Sequence, residues 1–211
     1  MKKLKIVAFG DSLTAGSALS ETDTNWTELL AKAFNAEVIN SGIGGHTSAQ
    51  GLERMERDVT AHSPDAVLIC FGMNDHVIKD KDGSAKVAED DFCRNLAQMV
   101  TSVRASGAIP ILITPNSVIE EYYFTRHPRE WYEEVGGANA QLSRYCARIR
   151  EVAKSLSVPL ADVFSASRKS DLKTLLRTPM QGNFADGVHP YGAGIPFYAK
   201  VIIPVLKEAL L

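Results

Sequence analysis

Short apolar, β-branched runs alternate along the chain with longer segments whose apolar residues recur at helical spacing. The runs at residues 4–9, 37–40, 66–71, 109–114 and 158–163 predict strands. Between them, Trp26, Leu29, Leu30 and Phe34 share one helical face, as do Phe92, Leu96, Met99, Val100 and Val103, and later Leu142, Tyr145, Ile149 and Val152. Residues 195–211 predict a closing helix, with Pro196 in its first turn and Pro204 as a kink. Alternation of this kind predicts βαβ units and a parallel sheet covered on both faces, an α/β fold in one domain over residues 1–211.

Two connections are long, 115–137 after the fourth strand and 164–192 after the fifth. Loops of that length in a compact domain usually carry function. Both leave the carboxyl ends of strands, where open parallel sheets bind ligands.

Composition narrows the function. Twenty-three basic against 25 acidic residues give a net charge of −2, without the basic excess that binding a phosphate backbone needs, so no nucleic-acid partner is expected. Three cysteines at wide spacing, Cys70, Cys93 and Cys146, suggest neither a disulfide framework nor a thiolate metal site. The apolar stretch after Lys5 is interrupted by Asp11, shorter than the roughly 7 to 15 residues of a secretory leader, and no run approaches the roughly 18 of a membrane span. A cytoplasmic protein without a membrane span is the expectation.

Four segments carry candidate chemistry. The first strand runs into Gly10-Asp11-Ser12-Leu13, placing the Ser12 hydroxyl at the sheet edge beside a helix start. After the second comes Asn40-Ser41-Gly42-Ile43-Gly44-Gly45-His46-Thr47, whose glycines leave backbone N–H groups free to meet an anion. It is not a dinucleotide fingerprint, because Thr47 stands where the third glycine would be, and no P-loop lysine follows. The third strand ends in Gly72-Met73-Asn74-Asp75, and near the end stands Asp186-Gly187-Val188-His189. If those last residues form one helical turn, Asp186 and His189 face the same way and the carboxylate fixes the imidazole tautomer. Taken singly, each segment also has an ordinary structural role: a helix cap, a glycine turn, an Asx turn, a packed histidine. Together they bring a nucleophile, donors and an oriented base to one rim. There is no Gly-x-Ser-x-Gly around Ser12, so an α/β-hydrolase elbow is not the template.

These four segments, Gly10–Leu13, Asn40-x-Gly42-x-x-Gly45-x-Thr47, Gly72-x-Asn74-Asp75 and Asp186-x-x-His189, resemble in order the blocks of the SGNH, or GDSL-type, serine esterase family. The resemblance implies a flavodoxin-like three-layer α/β/α fold around a five-stranded parallel sheet. It implies Ser12 as nucleophile, His189 as base and Asp186 as its partner. It implies an oxyanion hole made of the Ser12 and Gly45 amides and the Asn74 side chain, with no metal or organic cofactor. His46 departs from the pattern, standing where related sequences often carry Asp.

A small-molecule ester is then the expected partner, with short acyl groups such as acetyl on a carbohydrate or another polar alcohol. Alternatives are a lysophospholipase or acyl-thioesterase, a binding or scaffolding protein that keeps the fold, and a flavodoxin-like nucleotide module. Substrate contacts are expected from Asp11 and from the aromatic stretch of the first long connection, Tyr122, Tyr123, Phe124 and Trp131, beside Arg126, His127 and Arg129.

Overall fold

The computed structural model describes residues 3–17, 19, 23–178 and 186–211. Its strands are β1 (Lys5–Gly10), β2 (Glu37–Gly42), β3 (Ala66–Cys70), β4 (Ile109–Ile113) and β5 (Leu160–Ala161). Its helices are α1 (Ser12–Ala15), α2 (Trp26–Phe34), α3 (Ser48–Glu53), α4 (Met55–Asp58), α5 (Glu89–Ala105), α6 (Glu120–Tyr123), α7 (Ala138–Ser155), α8 (Val163–Ser167), α9 (Leu172–Leu175) and α10 (Gly194–Ala209). The strands form one parallel sheet in the order β2-β1-β3-β4-β5. This is the expected doubly wound α/β architecture, and its chain direction switches between β1 and β3, where such sheets open a crevice at their carboxyl ends.

Period-two alternation sorts the strand residues between two cores. Val7, Phe9, Val67, Ile69 and Leu112 face α5 and α7, meeting Phe92, Leu96, Met99, Tyr145 and Ile149. Ile6, Ala8, Leu68, Ile111 and Ile113 face α2 and α10, meeting Trp26, Leu30, Ile195, Tyr198 and Ile202. Helix caps follow from local sequence: Asn25 and Glu28 form a reciprocal capping box at α2.

Three expectations change in detail. The fifth strand shrinks to two residues because Asp162 turns its carboxylate to the Ser165 amide and starts α8. The long connections are not plain loops: the first holds α6 and a 3-10 turn at Arg129–Tyr132, and the second holds α8 and α9. Residues 179–185 of the second lie outside the described residues. Finally, α10 begins at Gly194, where a Cβ would lie 1.9 Å from the Leu175 carbonyl oxygen, so glycine alone lets α10 approach α9.

Candidate active site

Ser12 opens α1, a helix of one turn. The Asp11 carboxylate accepts the Leu13 amide at 2.9 Å, and Gly16 ends the turn in the left-handed region. So short a helix needs outside support. Its Leu13 carbonyl accepts the Trp26 indole N–H at 2.9 Å, and its Thr14 carbonyl accepts the Asn25 and Asn40 side-chain amides at 3.1 and 2.8 Å. A Cβ on Gly42 would lie 2.2 Å from the Ala15 nitrogen, so β2 approaches α1 only because residue 42 is glycine. Ser12 itself is 8% exposed.

The glycine turn and the asparagine turn meet at this rim. Asn74 Nδ2 donates to the His46 carbonyl at 3.0 Å, beside Gly45, whose φ of +79° is a glycine conformation. Asp75, fully buried, fixes the same corner: Oδ1 accepts the Ser48 amide and hydroxyl at 2.8 and 2.6 Å, and Oδ2 accepts the Gly72 amide at 3.1 Å.

The last segment is not a helical turn. Asp186, fully buried, accepts the Val188 and His189 amides on Oδ1 at 2.7 and 3.0 Å, forming an Asx-type turn, and Gly187 supplies the positive φ of +63°. Oδ2 meets His189 Nδ1 at 2.6 Å. Burial raises the Asp186 carboxyl, but the hydrogen bond and charge of His189 and the two amides outweigh it and hold the group below its ordinary value. His189 Nε2 is buried without a hydrogen-bond partner. Ser12 and His189 line one narrow cavity with Leu13, Leu19, Trp26 and Ile195. Ser12 and His189 therefore border the same space, and a serine hydroxyl beside an oriented imidazole is an arrangement that can carry out acyl transfer. Among the described residues no group of three or more His, Cys, Asp or Glu side chains could hold a metal ion.

A profile of the GDSL-like lipase/acylhydrolase family matches residues 8–194, from β1 through all four segments to the start of α10. The chain belongs to this family. The GDSL-type fold is shared with the lipase/acylhydrolase of Enterococcus faecalis, at a TM-score of 0.76 and 24% identity, covering 97% of this chain and 96% of that one. Esterase TesA of Pseudomonas aeruginosa is 28% identical over 214 residues, 97% of this chain and 89% of that protein. The uncharacterized lipoprotein YqeF of Bacillus subtilis is 34% identical over 169 residues, 74% of this chain and 69% of that protein. Among the described residues of this GDSL-type chain, no helix is long and apolar enough to cross a membrane.

Within the GDSL-type site, two groups expected to touch substrate are placed elsewhere. Asp11 is fully buried beneath the Ser12 turn, because its carboxylate is used to cap α1. Tyr123 is 1% exposed; its hydroxyl bonds Tyr132 at 2.9 Å and the buried His76 at 3.3 Å, and His127 stacks on its ring at 4.3 Å. Phe124 and Trp131 pack partly buried around this cluster, and Arg129 lies over the Phe124 ring. Tyr122 packs with Ile119, Leu175 and Leu176, against the backbone of Gly187. The aromatic stretch thus forms a packed cap that braces the Asp186–His189 turn. The supporting roles of Asn25, Trp26 and Asn40 were not anticipated from sequence; an asparagine at the end of a strand was the one signal for the last of them.

Buried Asp11 has a measurable consequence. Burial raises its carboxyl to about 7, opposed by the Leu13 amide and Arg54 and reinforced by the charge of Asp75. The native protein then keeps a proton that the unfolded chain releases, so this group's contribution to stability declines as pH rises from about 4 to about 7 and is level above. Asp11→Asn should remove that decline. Melting temperatures of both proteins at pH 5 and pH 8 check it: the difference between them should move in favour of the variant at pH 8, and a constant difference refutes it.

Proposed function

We propose that this GDSL-type protein is a serine ester hydrolase working through an acyl-enzyme. The observation that carries the reading is the His189 imidazole, held at Nδ1 by Asp186 and unpartnered at Nε2, in a residue that lines one cavity with Ser12. Ser12 Oγ attacks the ester carbonyl while His189 Nε2 takes its proton. The new imidazolium is stabilised by Asp186, then delivers the proton to the leaving alcohol; water repeats the sequence on the acyl-enzyme and frees the acid. The Ser12 and Gly45 amides and Asn74 Nδ2 serve as oxyanion donors. An amide nitrogen has two hydrogens, so Asn74 can keep its bond to the His46 carbonyl and still donate to the oxyanion.

The acyl group is read as short, acetyl rather than fatty acyl, supported by the narrowness of the cavity over Ser12 and His189. One experiment tests both parts. A fluorophosphonate should label the protein on Ser12 and fail to label Ser12→Ala, and hydrolysis of p-nitrophenyl esters should fall steeply from acetate to octanoate. Absence of labelling rejects the nucleophile. A rate rising toward octanoate places the enzyme instead with lysophospholipases or acyl-thioesterases.

A further inference from the structure

Three buried side chains that take no part in the ester chemistry, His76, Tyr123 and Tyr132, are wired to the turn that carries Asn74. That turn, residues 72–78, is closed on itself by the His76 amide, which donates to the Gly72 carbonyl at 3.2 Å, and by the Val77 amide, which donates to the Asn74 carbonyl at 3.3 Å. A string of side chains then joins its two ends. The His76 ring meets the Gly72 carbonyl through Nδ1 at 3.2 Å and the Tyr123 hydroxyl through Nε2 at 3.3 Å. Tyr123 meets the Tyr132 hydroxyl at 2.9 Å, and Tyr132 accepts the Ile78 amide at 3.0 Å. Tyr123 lies on α6, and at the start of the same helix the Ile119 amide donates to the Gly187 carbonyl at 2.8 Å. One short element therefore bonds both the turn that carries Asn74 and the turn that holds Asp186 and His189.

The protons on this string can be placed one by one. A carbonyl only accepts, so His76 Nδ1 carries a hydrogen. Burial lowers the imidazole to about 4 against the pull of the Gly72 and Met73 carbonyls, and nearby His127 and Lys86 add to the shift, so the ring is neutral at pH 7 and Nε2 is a bare acceptor. Tyr123 must then donate to Nε2, which leaves its oxygen to accept from Tyr132, whose own oxygen accepts the Ile78 N–H. Every group on the string is satisfied in one direction only, and burial removes the water that could replace a lost bond. Asn74 depends on the result. One hydrogen of its Nδ2 goes to the His46 carbonyl at 3.0 Å, so the tilt of the turn decides where the second one points. We propose that Tyr123 and His76 are positioning residues for the oxyanion hole: the Tyr123 hydroxyl, acting through His76, holds residues 72–78 at the setting in which Asn74 Nδ2 meets the developing negative charge. This rests on Asn74 serving as an oxyanion donor.

The test measures kcat and KM on p-nitrophenyl acetate for the whole chain, for Tyr123→Phe, for Asn74→Ala and for the double variant, each per Ser12 titrated with a fluorophosphonate. Tyr123→Phe keeps the ring in its packed cluster and removes only the hydroxyl. An oxyanion donor acts in the transition state, so KM should stay within about twofold while kcat falls at least about tenfold, and by no more than the about 10²- to 10³-fold that losing the donor outright costs. In the Asn74→Ala background the same change should cost less than about twofold, because no donor is left to misplace. His76→Asn cuts the string from its other side while keeping an N–H for the Gly72 carbonyl, and it should show the same dependence on Asn74. An equal fall in both backgrounds overturns the proposal, since the hydroxyl would then act on the His189 turn or on the fold at large. Full kcat in Tyr123→Phe, or a loss confined to KM, overturns it too. If Asn74→Ala alone keeps its kcat, the oxyanion role of Asn74 fails and takes this proposal with it, while the nucleophile stands. Failure of the unmodified protein to label on Ser12 would overturn both by removing the esterase reading itself.

Discussion

Asp186→Asn should leave the protein folded and lower kcat on p-nitrophenyl acetate by about 10⁴-fold. The carboxylate has two jobs, divided between its oxygens: Oδ1 caps the turn through the Val188 and His189 amides, and Oδ2 accepts His189 Nδ1–H. Asparagine keeps an oxygen for the first job. For the second it offers an N–H, which His189 can accept only through an unprotonated Nδ1, so the ring proton moves to Nε2. Nε2 then has no lone pair for the Ser12 proton, and the imidazolium loses its counter-charge. Circular dichroism should show a native fold while turnover collapses; kcat within tenfold of wild type would refute the role. Acid stability offers a second reading. Because His189 and the two amides hold the Asp186 carboxyl below its ordinary value, its ionised form stabilises the native state above the unfolded-chain value, and that contribution is lost as pH falls through the native one. The asparagine variant should lack this acid-side decline.

How far the sequence reveals such an arrangement depends on what kind of contact makes it. The α5 stripe of Phe92, Leu96, Met99, Val100 and Val103 is legible because periodicity alone decides which face is buried, and those five residues are the buried ones in that helix. The pairing of Asp186 with His189 is legible as a spacing, but its geometry is not: a three-residue separation suits a helical turn and an Asx turn equally, and Gly187, with no room for a Cβ against the Ile119 carbonyl, decides for the second. Tyr123 shows the opposite case. An aromatic on a long loop reads as a candidate wall for substrate. What buries it is packing with His127 and Tyr132 of its own connection and with His76, 47 residues away, and no local pattern announces the last.

Arg54 is the extreme of the same kind. An arginine within a polar helical stretch reads as solvated, yet it is 5% exposed, because acceptors from three elements converge on it at the carboxyl edge of the sheet. Nη2 donates to the Gly10 carbonyl at the end of β1, at 2.8 Å. Nη1 donates to the Ser41 carbonyl in β2 at 2.8 Å and to Asp58 in α4 at 2.9 Å. The guanidinium plane also lies 4.4 Å from the Phe9 ring centroid. Gly10 directly precedes Asp11 and Ser12, so this fork clamps the two strands that carry the Ser12 turn and the glycine turn.

Arg54→Met keeps most of the packing volume and removes every donor. Asp58 retains Arg57 at 2.6 Å, so no carboxylate is stranded, and the cost comes from buried carbonyls that lose a charged donor. That amounts to about 3 kcal/mol, or about 6–12 °C in melting temperature for a chain of this size. Arg54→Lys should recover less than half of it, because one ammonium cannot place two rigid donors on two strands at once. Calorimetry on the three proteins checks this, and a loss under about 3 °C for the methionine variant would show that the carbonyls find other donors. A clamp on both strands also predicts that turnover per folded molecule drops in the methionine variant, since in the proposed mechanism Ser12 Oγ and the Gly45 amide act on the carbon and the oxygen of one carbonyl group, and a displacement near 1 Å is enough to cost about 10²-fold.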